Sequence, residues 1–323
     1  MPDALVSAPA MIPGGPVPFH GIYAATPAPL TSEFTLDEPS LRALLADLAA
    51  VPGLAGFLVN GHAGENSSMP LTDQRRVVEV AVETAGDCAT VICGVNIENS
   101  LAAAAHARAL EDAGADALMV FAPNGWALFQ DEETALIHHR HILDATAVPI
   151  VLFQASVRAG TMAYRPQTLR RLVRLPRVTA IKEGSWEVAA YEANRRLIRE
   201  AAPHVAVMGS GDEHLFTSFA VGSEGSIVSL AAVIPEAVIA LFDAVHRGDL
   251  AAARAWNDRI YPLARAIYHA PPGGRANARL KTCLKLLGHF PEDVMLPPQT
   301  VTPQQEHEAL RTALATARGE TLE

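Results

Sequence analysis

The chain has 323 residues, 50% of them hydrophobic, and its 25 Lys and Arg stand against 35 Asp and Glu for a net charge of -10. No basic run is interleaved with aromatics, and clustered positive charge is what phosphate recognition rests on, so nucleic-acid partners are excluded. No apolar run approaches the roughly 20 residues of a membrane span. What remains is an expected soluble chain, long enough for one large α/β domain with a small appendage or for two domains.

Residues 1–18 are rich in Ala, Pro and Gly but lack a basic stretch followed by a continuous apolar one; they read as a flexible arm rather than a signal peptide. From there one pattern recurs: a short apolar strand, a loop, then a helix rich in Ala and Leu. Strands are expected at 20–25, 56–60, 90–95, 116–121, 149–154, 178–183, 205–209 and 225–230. Each is followed by a helix, at 38–50, 72–84 (capped by Thr72 or Asp73), 100–113, 131–144, 166–175, 187–202, 212–221 and 235–247. Eight such units are the count of a (β/α)8 barrel spanning 19–248. A doubly wound sheet competes, but no G-x-G-x-x-G follows the first strand. Three more helices, at 250–270, 277–287 and 303–317, would form a C-terminal helical bundle over 249–323, linked by Pro271-Pro-Gly-Gly274 and Pro297-Pro298. Cys88, Cys93 and Cys283 are odd in number and lack CxxC spacing, which reads as reduced core thiols in a cytoplasmic protein.

In a barrel the active site lies at the C-terminal ends of the strands, so the residues just after each apolar run carry the chemistry. The stretch Val178-Thr-Ala-Ile-Lys-Glu183 is a buried parallel strand that delivers Lys182 to that end. Partial desolvation there disfavours the ammonium, and a neutral amine attacks ketones to form a Schiff base. The competing reading is a surface lysine that snorkels into water. The loop Gly61-His-Ala-Gly64 offers free backbone N–H groups to an anion, and Arg158 a guanidinium fork that suits a carboxylate. An amine, an anion cradle and a guanidinium together fit a 2-oxo acid.

The order Gly61-His-Ala-Gly-Glu65, Val148-Pro-Ile-Val-Leu-Phe-Gln-Ala-Ser-Val-Arg158, Ile181-Lys-Glu183, Ser210-Gly-Asp212 and Gly225-Ser-Ile-Val-Ser229 resembles the dihydrodipicolinate synthase / N-acetylneuraminate lyase family. The resemblance implies a TIM barrel lyase, an aldolase of the Schiff-base kind, acting on pyruvate or a longer 2-oxo acid. It implies no cofactor and no metal, and usually a homotetramer built as a dimer of dimers, with a homodimer as the simpler form. Lys182 matches the family's Schiff-base lysine and Arg158 an arginine that binds a carboxylate of the second substrate. The backbones of His62, Ala63, Gly211 and Ile227 match positions that line the site.

The departures are as informative. Two threonines usual in the first loop are His62 and Ala63 here, and the proton-relaying tyrosine at the end of strand five is Phe153. The aromatic pair after strand four reads Asn124-Gly125, with Trp126 displaced by one. A general acid–base group contributes about 10²–10⁴-fold, so its loss without replacement leaves a poor synthase. Either His62 takes over proton transfer, or the chain binds an oxo-acid without turning it over. Without the tyrosine, the preferred reading is an aldolase or dehydratase on a sugar-derived or aromatic 2-oxo acid. A 4-hydroxy-tetrahydrodipicolinate synthase with an altered relay is the alternative enzyme. Phe153 and Trp126 are the expected pocket walls, although Trp126 equally suits a subunit interface. Glu65 fixes its loop by accepting backbone hydrogen bonds or serves as a base. His138 and His141 share a helix face as metal ligands can, but without a carboxylate or cysteine partner the fourth helix's histidines read as a solvated or interface face.

Overall fold

Eight short strands, each too apolar to face water on either side, pair in parallel and in chain order until the last meets the first, closing a barrel. The computed structural model describes residues 19–128 and 131–320; the expected arm at 1–18 lies outside them. The strands are β1 (Gly21–Ala25), β2 (Leu54–Val59), β3 (Thr90–Val95), β4 (Ala117–Val120), β5 (Ile150–Gln154), β6 (Val178–Glu183), β7 (Ala206–Gly209) and β8 (Gly225–Val228). Between and after them run α1 (Glu38–Ala49), α2 (Leu71–Ala85), α3 (Ser100–Asp112), α4 (Glu132–Ala145), α5 (Pro166–Leu172), α6 (Val188–Ala201), α7 (Leu215–Ala220) and α8 (Pro235–His246). Closure is tight. A Cβ on Gly225 would lie 1.9 Å from the Gly21 carbonyl oxygen, so only glycine lets β8 approach β1.

Successive strand residues point to opposite faces, and this sorts the core into two layers. Tyr23, Leu58, Ile92, Met119, Val151 and Ile227 fill the barrel interior. Leu41, Val78, Leu110, Leu152, Ile181 and Leu241 belong to the outer layer between strands and helices. On β6, Ala180 faces inward and Ile181 outward, so Lys182 continues the inward face at the barrel's upper end. Phe153 follows inward-facing Val151 in the same way, and Phe121 crowns β4.

After the barrel come α9 (Leu250–Ala264), α10 (Ala276–Leu286) and α11 (Gln304–Arg318). The first of the three expected helices is not continuous: α9 gives way to a five-residue π turn, Arg265–His269. Two further expectations fail. The second barrel helix starts at Leu71 behind Pro70, with neither Thr72 nor Asp73 as its cap. The seventh opens as a short 3-10 turn, Asp212–His214, in which the Asp212 carboxylate accepts the Leu230 N–H at 2.9 Å. Cys93 and Cys283 are buried thiols as expected, but Cys88 is exposed. Among the described residues no helix is long and apolar enough to cross a membrane.

Candidate active site

The upper mouth of the barrel collects the side chains that β2, β4, β5 and β6 push inward. Lys182 Nζ lies 5.9 Å from the centroid of the Phe153 ring. Phe153 packs on Phe121 at 4.8 Å between centroids, and the His62 imidazole closes the group at 4.4 Å from Phe121 and 5.3 Å from Phe153. Gly184 makes this possible from below: a Cβ there would sit 2.7 Å from the Gln154 carbonyl and 3.3 Å from Phe153. The aromatic wall thus holds the amine in a weakly solvating corner.

That placement has an electrostatic result. Burial lowers the Lys182 pKa to about 8, and the Asp212 carboxylate limits the fall. Burial raises Asp212 to about 6, against the Leu230 N–H and the Lys182 charge, which both favour its ionised form. His62 is accessible from the mouth, yet its ring is enclosed on most sides by protein. This desolvation, with the Lys182 charge second, lowers its pKa to about 4. At neutral pH the mouth therefore holds a neutral imidazole, a carboxylate and an amine that loses its proton far more readily than a surface lysine.

The loop after β2 is built around its own hydrogen bonds. The Gly61 carbonyl accepts the N–H groups of Gly64 and Asn66, and the His62 carbonyl that of Glu65. Among the described residues nothing accepts the N–H groups of His62 and Ala63, which remain for a ligand. The loop is held from outside by the C-terminal helices. The Asn277 side chain donates to the His62 carbonyl at 2.7 Å, and the Leu296 N–H donates to Glu65 at 2.8 Å. Lys281, fully buried, forms an ion pair with the other oxygen of Glu65 and donates to the Val294 carbonyl at 2.7 Å. Glu65, at a positive φ of 57°, is a brace for the loop, as the first of its two readings has it.

The other named residues divide. Gly211 and Ile227 lie at the ends of β7 and in β8, beside the mouth, with Ile227 fully buried in the barrel interior. Arg158 stands exposed on the short turn Val157–Met162, and no described carboxylate pairs with it. Trp126 is no pocket wall. Its ring is 3% exposed and packs in the outer layer against His138 at 5.4 Å and Tyr164 at 6.4 Å. His138 and His139 are not on a solvated face either, being 1% and 0% exposed. His138 meets the Ser100 hydroxyl at 3.0 Å, and His139 binds the Ala135 carbonyl at 2.8 Å and the Tyr164 hydroxyl at 3.3 Å. His141 is exposed while His138 is buried, so the two do not present one solvated face. Glu183 turns outward to Asn194 and Ser185, away from Lys182.

Residues 18–317 match the model of the dihydrodipicolinate synthetase family. The chain belongs to that family. It is 32% identical to a 4-hydroxy-tetrahydrodipicolinate synthase of Hyphomonas neptunium, over 86% of this chain and 92% of the relative. It is 29% identical to a synthase of the same name from Pseudomonas aeruginosa, over 91% of this chain and 97% of the other. A prophage protein of the same family from E. coli K12, solved in complex with pyruvate, shares the fold at a TM-score of 0.84 and 22% identity, covering 93% of this chain and 99% of that one. At the level of the family the protein is a Schiff-base lyase. In the mouth itself Phe153 carries no hydroxyl, and the His62 ring packs against Phe121 and Phe153.

Asp212 is a residue that reading the sequence underrated. It was visible in Ser210-Gly-Asp212, but nothing local showed that its carboxylate would turn toward β8. Lys281 and Asn277 carried no signal, since both act on residues 215 or more positions away.

Proposed function

We propose that the protein is an aldolase or dehydratase that works on pyruvate or a longer 2-oxo acid through a Schiff base on Lys182. The observation that carries this reading is the placement of the Lys182 amine: inward-facing at the strand end, sheltered by Phe153 and inclined to give up its proton near pH 8. The neutral amine adds to the ketone carbon, the carbinolamine hydroxyl takes up one proton from solvent and leaves as water, and the iminium that results draws electrons from the neighbouring bond. Cleavage or formation of a carbon–carbon bond, or loss of a hydroxyl, then proceeds through the enamine. The free N–H groups of His62 and Ala63 suit the carboxylate of the acid, with Gly211 beside the mouth and the Ile227 backbone on β8 as the further proposed lining. Arg158, exposed and with no carboxylate partner among the described residues, suits a second carboxylate on a longer substrate or incoming aldehyde. His62 supplies a neutral imidazole within the same cluster and is the proposed proton carrier for the oxygen of the second reactant or leaving group. The pyruvate complex of the E. coli relative supports a three-carbon acid as the minimal ligand.

A second reading, condensation to 4-hydroxy-tetrahydrodipicolinate, is favoured by the names of the curated relatives and opposed by Phe153. Borohydride reduction in the presence of pyruvate and a series of longer 2-oxo acids, followed by peptide mass mapping, tests the chemistry common to both. The expected result is a reduced adduct on the peptide containing Lys182, strongest with the preferred acid. No adduct with any acid, or one on another lysine, removes the proposal. Product analysis with the best acid then separates the two readings.

A further inference from the structure

We propose that Asp212 takes and returns the proton of the bound 2-oxo acid, and that Tyr268, supplied by the C-terminal helices, is the positioning residue that holds its carboxylate. Together they do what Phe153 cannot do from β5. This inference rests on the Schiff-base reading.

Four observations place the pair. Asp212 is 5% exposed at the end of β7, fixed on one side by the Leu230 N–H at 2.9 Å, and its charge acts on Lys182. The Tyr268 hydroxyl oxygen is buried against the Asp212 carboxyl and the Ser229 hydroxyl, short of full hydrogen-bond geometry to either, so it is a buried donor with its bond still to be closed. The backbone sets the pairing: the Nδ1 of the next residue, His269, meets the Glu213 carboxyl, so two consecutive residues of the π turn address two consecutive residues of the β7 loop. Finally, the turn is held rigidly. The fully buried Arg279 guanidinium donates to the carbonyls of Ile267 at 3.0 Å and Ala270 at 2.8 Å, on either side of Tyr268 and His269. The Tyr268 ring stands edge-on to Trp186 at 5.6 Å, four residues beyond Lys182. A π turn that breaks a helix to aim one side chain is a common feature of functional sites.

The step balances without an added reagent. Once the iminium on Lys182 has formed, Asp212 removes a proton from the carbon next to it, the C–H electron pair becomes the enamine double bond, and the iminium nitrogen is neutralised. On the return, the same proton is delivered from the carboxylic acid to that carbon. The Tyr268 hydroxyl donates to Asp212 while it is ionised, and accepts from Ser229, so the carboxylate is oriented rather than left free to turn.

Exchange of the pyruvate methyl protons for deuterium, followed by NMR in heavy water, reads this step directly, and borohydride trapping of the same samples reads the imine. Tyr268→Phe keeps the ring against Trp186 and is expected to slow exchange about 10-fold or more while trapping persists. Asp212→Asn is expected to slow it about 10²-fold or more, within the range for a lost general base. Wild-type exchange rates in a Tyr268→Phe or Asp212→Asn protein that still traps pyruvate would overturn the pair and leave the Schiff base intact. Absence of trapping in the unaltered protein overturns the Schiff-base reading and this inference with it. Should Asp212→Asn fail to fold, the exchange-to-trapping ratio of Tyr268→Phe alone decides the matter.

Discussion

Two lysines are drawn into this molecule's interior, and they are treated in opposite ways. Lys281 is fully buried on α10 but meets the Glu65 carboxylate and the Val294 carbonyl, so its charge is matched where it lies. Lys182 is half-buried at the end of β6 with an aromatic ring beside it and, among the described residues, no carboxylate at ion-pair distance; the field of Asp212 supports its charge. Burial pulls both pKa values down, but Glu65 opposes the fall at Lys281 as a direct partner, whereas Lys182 is left near 8. A matched buried amine is a brace, and an unmatched one is a reagent.

The comparison breaks most visibly by removing each amine. Lys182→Met is expected to abolish imine capture and lower turnover by about 10³-fold or more, the scale of losing a covalent nucleophile, with the fold retained. Its thermal midpoint should rise, because an unmatched charge has been removed. The sign follows from the pKa values: at pH below about 8 the folded and unfolded states both hold the proton, so the cost of the charged lysine is fully present. Between about 8 and 10.5 the unfolded state holds more protons, stability rises, and the gap between variant and parent closes. Denaturant melts across that range measure it.

Lys281→Met should do the reverse. It leaves Glu65 buried without its counter-charge, at an expected cost of about 3–5 kcal/mol, and Lys281→Met with Glu65→Leu should recover much of it. A single variant as stable as the parent would show that Lys281 does not brace the loop.

Smaller effects sharpen the contrast. Capture of 2-oxo acid by borohydride should increase through pH about 8 as the Lys182 ammonium gives up its proton, while a surface lysine would still be charged there. The His62 ring protons should titrate near pH 4 by NMR rather than near 6.5, and His62→Ala should lower turnover about 10²-fold with the preferred acid. Unchanged turnover ends the role proposed for it. The least of these changes is Asn277→Ala, which deletes one hydrogen bond to the His62 carbonyl; a loss of about 0.5–1.5 kcal/mol is expected, with a modest rise in KM.

The sequence alone determined the repeating strand–loop–helix pattern, because apolar runs of β-branched residues and amphipathic helices are dictated by periods of two and 3.6 that any window of the chain displays. It also placed Lys182 at a strand end and showed what Phe153 lacks, since identity and strand position are local properties. Only the tertiary structure decided that His138, His139 and Trp126 are packed inside rather than displayed, because which helix face meets the barrel depends on neighbours distant in the chain. The same holds for Lys281 against Glu65 and for Tyr268 against Asp212. A charge becomes brace or reagent according to the partner that folding brings to it, and closure of the barrel under its C-terminal helices is what makes that assignment.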